Sequence, residues 1–336
     1  MRNILYIGNQ LSRHGLSVTS IETLGGLLNA EGYQMHYASS KLNKIARFVD
    51  MIITTVRLRN KVDYILIDTY STSNFWYAFA ISQIARFFTI PYIPILRGGD
   101  LPRRLEHSPV WCNMIFKNAY QNIAPSKYLL TAFTTKGYEN IILLPNTIEL
   151  KHYTFKERNV FEPKLLWVRA LQDIYNPKMA IDVLHLIQKK IPEATLCMVG
   201  GEKNISINQM KLYAEEKGVT VTFTGRLPKT EWIALAKDYD FFINTTNFDN
   251  TPVSVMEAMA LGLPVVSTDV GGVPALIQHQ ENGILVSPKD AEAMAQEILS
   301  LMENPSRAIL LAQSARSLSQ TFDWEIVKKN WFQLLK

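Results

Sequence analysis

The sequence predicts an α/β protein of two doubly wound domains, each a parallel sheet covered by helices on both faces. Three observations carry this. Short apolar runs bounded by turn residues alternate with helical stretches, the pattern of buried parallel strands joined by helical crossovers. The pattern restarts once, after a polar stretch at 145–163 with no clear periodicity. The length, 336 residues, suits about two domains of roughly 100–200 residues, each able to bury its own core.

The first apolar run, 4–7, reads as a buried strand, followed by a helix around 20–31 and strands at 35–38, 64–67, 93–96 and 141–144. After the break, strands are expected at 165–168, 195–199, 219–224, 241–244 and 264–267, with a helix near 178–190. An amphipathic helix carrying Trp324, Trp331 and Phe332 closes the sequence at about 322–335. The expected division is an N-terminal domain over 1–155, a second over 156–315, and a terminal helix, 316–336, returning to the first domain. Doubly wound sheets bind ligands at the carboxyl ends of their strands, so two such edges facing one another predict a cleft between the domains.

Composition is that of an ordinary globular protein, 47% hydrophobic and 19% charged, which excludes disordered, collagenous and coiled-coil classes. Cys112 and Cys197 are the two cysteines, too few for a disulfide scaffold or a cysteine zinc cluster, and a reducing, cytoplasmic location is expected. The first eight residues lack the features of an export signal. The most apolar window, 75–96, is interrupted by Ser82, Gln83, Arg86, Pro91 and Pro94, so no membrane-spanning helix is expected.

The net charge of +5 is unevenly placed: residues 1–150 hold 15 Lys and Arg against 9 Asp and Glu, the rest 20 against 21. Much of the excess brackets 41–61, where Lys41, Lys44, Arg47, Arg57, Arg59 and Lys61 flank Ile45, Phe48, Val49, Ile52 and Ile53 at helical spacing. Two readings fit: an amphipathic face docked on an anionic membrane at the inner face of the cytoplasmic membrane, or a core-packed helix with solvated ends. Nucleic acid is not expected as a partner, since no aromatic-basic stacking module or zinc finger spacing accompanies the charge.

The most informative segment is 244–269. A strand should end near Asn244, a loop should carry Asp249, Asn250, Thr251 and Pro252, and a helix should begin near Val253 and end at Gly262. A helix start presents backbone N–H groups without intrahelical partners and the positive end of the dipole, which suits a phosphate or a set of sugar hydroxyls. Asp249 precedes that helix and Glu257 lies within it, so both carboxylates can border one ligand. Gly8-Asn9-Gln10 to Gly15 follows the first strand, but it is not a G-x-G-x-x-G fingerprint. The histidines form no H-E-x-x-H pattern and no Asp-x-Asp motif occurs at a strand end, so no metal site and no cofactor are expected.

The 244–269 segment closely resembles the E-x7-E region of retaining glycosyltransferases of family 4, nucleotide-sugar-dependent enzymes with the two-Rossmann GT-B architecture. The resemblance extends over roughly 95–290 through Gly225-Arg226-Leu227-Pro228, Val270-Gly-Gly-Val-Pro274, Asn282-Gly283, Ala124-Pro125-Ser126 and Leu144-Pro145-Asn146. It implies that Glu257 holds the donor ribose and that Asp249, where a glutamate is usual, meets the transferred sugar. Asn250, Thr251, Pro252, Val253 and Ser254 match the loop whose backbone meets the donor phosphates and sugar, and Arg226 is a further donor-side residue.

Trp167-Val168-Arg169 resembles the family's strand-end Gly-Arg motif, with Val168 in place of the glycine. Arg169 and, nine positions on, Lys178 would neutralise the diphosphate. By the same resemblance Gly15 and the neighbouring His14 belong to a loop that closes over the sugar. Arg97-Gly98-Gly99-Asp100 resembles a segment that often begins with histidine, so Arg97 or Asp100 would face the acceptor.

The implied activity is metal-independent retaining transfer of a sugar from a nucleotide-diphospho sugar to a glycan or lipid-linked acceptor, as in cell-surface polysaccharide or lipopolysaccharide biosynthesis. Two alternatives stay open: a GT-B sugar-nucleotide epimerase, and a non-catalytic scaffold subunit that binds sugar nucleotides.

Overall fold

A computed structural model describes residues 2–15 and 18–336. The chain divides into two compact units, 1–147 with 327–336, and 148–326. Unit 1 runs β1 (Asn3–Ile7), α1 (Ser20–Ala30), β2 (Gln34–Ala38), α2 (Lys44–Leu58), β3 (Tyr64–Thr69), α3 (Phe75–Phe87), β4 (Tyr92–Leu96), α4 (Leu101–His107), α5 (Pro109–Phe116), β5 (Asn122–Ala124), α6 (Lys127–Thr135) and β6 (Ile141–Leu143). Its six strands pair in parallel in the order β2-β1-β3-β4-β5-β6.

Unit 2 runs β7 (Lys164–Val168), α7 (Pro177–Gln188), β8 (Thr195–Val199), α8 (Ile207–Glu216), β9 (Val221–Gly225), α9 (Lys229–Leu235), β10 (Phe241–Asn244), α10 (Val253–Ala260), β11 (Val265–Thr268), β12 (Ile284–Val286), α11 (Ala291–Glu303) and α12 (Pro305–Gln320). A last helix, α13 (Trp324–Leu334), starts in unit 2 and finishes in unit 1. The second sheet is also parallel, in the order β12-β11-β10-β7-β8-β9. Both orders reverse direction once, between β1 and β3 in unit 1 and between β7 and β10 in unit 2. Such switch points leave a crevice at the carboxyl ends of the strands, because the flanking connections depart in opposite directions.

Alternation along the strands builds a core on each face. In unit 2, Leu165 and Trp167 join α7 and α11 in one cluster, while Leu166 and Phe242 join Val255, Met256 and Met259 of α10 in another. In unit 1, Leu5, Ile7, Ile65 and Ile67 pack against Met51, Phe75 and Ile81 of α2 and α3. Helix starts follow ordinary capping chemistry: the Asn43 side chain accepts from the Ile45 and Ala46 amides of α2, and Asn176, left-handed at φ 47°, accepts from the Met179 amide with Pro177 at the first helical position.

The units part at 147/148 and 326/327, where the sequence suggested 155/156 and 315/316. Packing explains the difference. Ile148 and Tyr153 are buried with Ala315 in a single core of unit 2, and the Arg158 side chain bonds Asp240 and the carbonyls of Tyr239 and Gly262. The polar stretch that reads as a linker is thus fastened to unit 2. The terminal segment groups with unit 1 through Lys328 to Glu31 at 3.0 Å, the Tyr33 and Phe332 rings at 6.1 Å, and the Tyr64 hydroxyl donating to the Lys336 carbonyl at 2.8 Å.

Candidate active site

The switch point of unit 2 gathers most of the donor-side residues. Arg169 follows β7, and its amide donates to the Val199 carbonyl of β8 at 3.0 Å. A Cβ on Gly200 would fall 1.6 Å from the Arg169 carbonyl oxygen, so glycine is required for the two strand ends to approach this closely. The loop after β10 is tied to the loop before α7: Thr245 Oγ1 accepts from Trp167 Nε1 at 3.0 Å and lies 2.9 Å from the Tyr175 carbonyl, while the Asn247 amide donates to the Ile174 carbonyl at 2.7 Å. These ties set Tyr175 beside Arg169, with the guanidinium 4.9 Å from the ring centre. On the far side Arg169 Nη2 donates to Asp249 Oδ2 at 2.5 Å, and Asp249 Oδ1 accepts its neighbour's amide, that of Asn250, at 2.8 Å. The Arg169 Nε remains buried without a partner among the described residues.

The loop 249–252 is itself clamped. Cβ atoms on Gly271 or Gly272 would fall 2.2 Å from the carbonyls of Asp249 and Asn250, and the Gly272 amide donates to the Asp249 carbonyl at 2.9 Å. The Val270-Gly-Gly-Val-Pro274 motif is therefore a backplate against which this loop lies. Asn250 and Thr251 are buried, Pro252 caps α10, and Val253 and Ser254 form its first turn. Ser254 Oγ, like Arg169 Nε, is buried without a partner among the described residues.

Glu257, one turn further along α10, is 4% exposed. Its Oε1 accepts from the Tyr153 hydroxyl at 2.7 Å and pairs with Lys229 Nζ at 2.7 Å. Burial, then the Glu257 carboxylate, pushes the Tyr153 pKa well above the ordinary phenol value, so Tyr153 stays a donor. Neither Tyr153 nor Lys229 lies near enough in sequence to Glu257 to be signalled by local spacing.

Arg226 is exposed after β9, and its guanidinium lies about 3.0 Å from where a Gly201 Cβ would stand. Lys178, at the second position of α7, is directed elsewhere: its Nζ is 5.0 Å from the centre of the Tyr213 ring on α8. Thus Asp249 and Arg169 meet directly, whereas Lys178 engages an aromatic face.

In unit 1, Arg97 after β4 is enclosed. Its Nε donates to Asp68 Oδ1 at 3.0 Å, Nη1 to Asn146 Oδ1 at 2.5 Å, and Nη2 to the Tyr6 hydroxyl at 3.4 Å. Burial opposes its charge, but Tyr6 and Asp68 more than offset this and raise its pKa. Asp68 is fully buried, its pKa raised by burial against the pull of Arg97, and its Oδ2 has no partner among the described residues. Asp100 is exposed at the start of α4. Gly15 is left-handed at φ 71° after a short 3-10 turn, and His14 Nε2 lies 2.8 Å from the Ser40 carbonyl. Gly15 and His14 are adjacent to residues 16 and 17, which lie outside the described residues.

Among the described residues no three His, Cys, Asp or Glu side chains are grouped to hold a metal ion, and no helix is long and apolar enough to cross a membrane.

Two parallel Rossmann-like sheets, each with one switch point, make the two-domain α/β architecture of the GT-B fold class. Residues 153–318 match the family model described as glycosyl transferases group 1. Alr3699/HepE of Anabaena, solved with UDP-glucose, is 19% identical over 100% of this chain and 99% of its own, with a TM-score of 0.76. Sucrose-phosphate synthase of Thermosynechococcus elongatus is 17% identical over 99% and 98%, with a TM-score of 0.81. At these identities the likeness is one of fold. Glycogen synthase of Mycobacterium tuberculosis is 23% identical over 260 residues, 73% of this chain and 62% of its own. The chain thus spans less than two thirds of that relative's length.

Proposed function

We propose that the protein transfers a sugar, with retention of configuration, from a nucleotide-diphospho sugar held by unit 2 to a hydroxyl of a glycan or lipid-linked acceptor. The carrying observation is the pair of buried donors without partners among the described residues, Arg169 Nε and Ser254 Oγ, set at a strand-end switch point beside the start of α10. Buried donors are costly when unpaired, and both would be satisfied by an anionic oxygen ligand such as a diphosphate. The helix start adds partial positive charge where the leaving group needs it. In this reading the leaving charge is met by Arg169 and the α10 dipole without a metal, Glu257 takes the ribose hydroxyls, and Asp249 borders the sugar. The UDP-glucose complex of HepE and the names of two relatives, a colanic acid biosynthesis glycosyltransferase, WcaL, of Escherichia coli and an amylovoran biosynthesis glycosyltransferase, AmsK, of Erwinia amylovora, support a nucleotide sugar and a glycan acceptor.

A thermal-shift panel of UDP, GDP, ADP and their sugar conjugates tests the donor site, because a ligand that binds only the native state raises Tm by mass action. One base should raise Tm in the wild type and not in Glu257→Ala. No shift with any of them overturns the reading. The commitment of both Asp249 oxygens, to Arg169 and to the Asn250 amide, favours one second reading, a scaffold subunit that binds the sugar nucleotide without turning it over. Release of nucleoside diphosphate in the presence of acceptor separates the two.

A further inference from the structure

We infer that one helical face of unit 1 docks on an anionic lipid bilayer, with α2, α3 and α5 lying along the surface. This surface is separate from the donor site and does not depend on its chemistry. α3 packs against both α2 and α5, and the inner stripes of all three helices enter one core through Met51, Phe75, Ile81, Cys112 and Ile115. Their outer stripes stay apolar. On α2, Ile45, Val49 and Ile53 recur every four residues and all are exposed, Ile45 at 76%. α3 adds Trp76 and Phe87, the latter 81% exposed, and α5 adds Val110 and Trp111. The outer face of a surface helix is ordinarily charged, and soluble monomers rarely expose contiguous apolar patches of this kind.

The charges on the same helices have one sign. Within 41–61 every exposed charged side chain is a cation, namely Lys41, Lys44, Arg57, Arg59 and Lys61. The two other charges on α2 turn inward: Arg47 donates to the carbonyls of Lys41 and Leu42, and the Asp50 carboxylate accepts from Ser39 Oγ. α3 contributes exposed Arg86, Lys117 follows α5, and neither helix has an exposed acid.

Trp76, Phe79 and Trp111 form an edge-to-face cluster with ring centres 4.9–6.3 Å apart, and the Arg104 guanidinium lies 5.4 Å over Trp76. Exposed indoles flanked by cations suit the headgroup level of a bilayer, where ring and N–H are both satisfied. A second copy of the chain fits this face less well, since a two-fold contact would set cation against cation. An anionic bilayer supplies the complementary charge and accepts the apolar stripe.

The full chain is sedimented with vesicles of phosphatidylcholine alone or with roughly one third phosphatidylglycerol. Binding to the anionic vesicles, weakened by salt and absent from the neutral ones, is expected. Replacing Lys41, Lys44, Arg57 and Arg59 with Glu should cut partitioning more than about a hundredfold, since each surface cation is worth about fivefold. The variant Ile45→Ser/Trp76→Ser/Phe87→Ser, its fold verified by circular dichroism, should lose binding with its cations intact. If that variant does not fold, quenching of wild-type tryptophan fluorescence by brominated phosphatidylglycerol reads the same insertion. Wild type left in the supernatant, a charge variant that binds as wild type, or a stable dimer broken by Ile45→Glu overturns the inference. The nucleotide thermal shift should be unchanged in all these variants, which separates this result from the donor-site reading.

Discussion

Arg97 and Arg169 each stand just past the carboxyl end of a parallel strand, β4 in one sheet and β7 at the switch point of the other, yet their surroundings differ. Arg97 is closed in, with Asp68, Asn146 and Tyr6 taking its donors. Arg169 is held at one nitrogen by Asp249 and on one face by Tyr175, and its Nε has no partner among the described residues. The same residue type at a strand end is thus fully tied into the protein in unit 1 and, in unit 2, keeps one buried donor without a partner among the described residues. The lesson is that strand-end position nominates an arginine, and the count of satisfied donors decides its role.

The contrast is open to test. The largest effect is expected for Asp68→Asn, which leaves the Arg97 charge buried without its counterion and should lower the unfolding free energy of unit 1 by about 3–5 kcal/mol in urea titrations. The parallel change Asp249→Asn, at a partly exposed pair, should cost less than about 1 kcal/mol. Next in size, Arg169→Met should weaken nucleoside-diphosphate binding by about 10- to 150-fold in calorimetry, the worth of about 1.5–3 kcal/mol for hydrogen bonds to a charged group, while Tm stays near wild type.

Smaller again, Ser254→Ala should weaken the nucleotide about fivefold and leave stability equal or higher, since it deletes a buried hydroxyl with no partner among the described residues. Loss of stability there would mean that Ser254 serves the fold. Tyr153→Phe should cost about 1 kcal/mol by removing one donor from Glu257. The smallest response is expected of the thiols. Cys112, pushed up to about 12 by burial, and Cys197, raised for the same reason, are both buried, so neither should react with a thiol reagent in the native protein.

Much of this architecture was legible because runs of four or five apolar residues between turn signals survive as strands: β8 and β10 fall at the expected residues, and the other foreseen strands differ by a residue or two at their ends. β5 and β12, three residues each, are too short to carry periodicity and were visible only as pieces of motifs. The 249–257 segment was legible as one contiguous run that ends a strand and opens a helix. Its supports were not. Tyr153 reaches Glu257 across 104 positions, and Asp68 reaches Arg97 across 29. A lone acid within an apolar strand gives no local sign of which cation it will meet. Lys178 had the right type near the right place, yet the ring of Tyr213 was an available partner that spacing could not reveal.

The assignment of 327–336 to unit 1 has a consequence for biogenesis. A ribosome delivers the chain in order, so unit 2, all of it contained in 148–326, is fully synthesised before unit 1 has received its last segment. The module encoded first is the one finished last. Until then the nascent first module lacks Trp331 and Leu335, both buried in the finished protein.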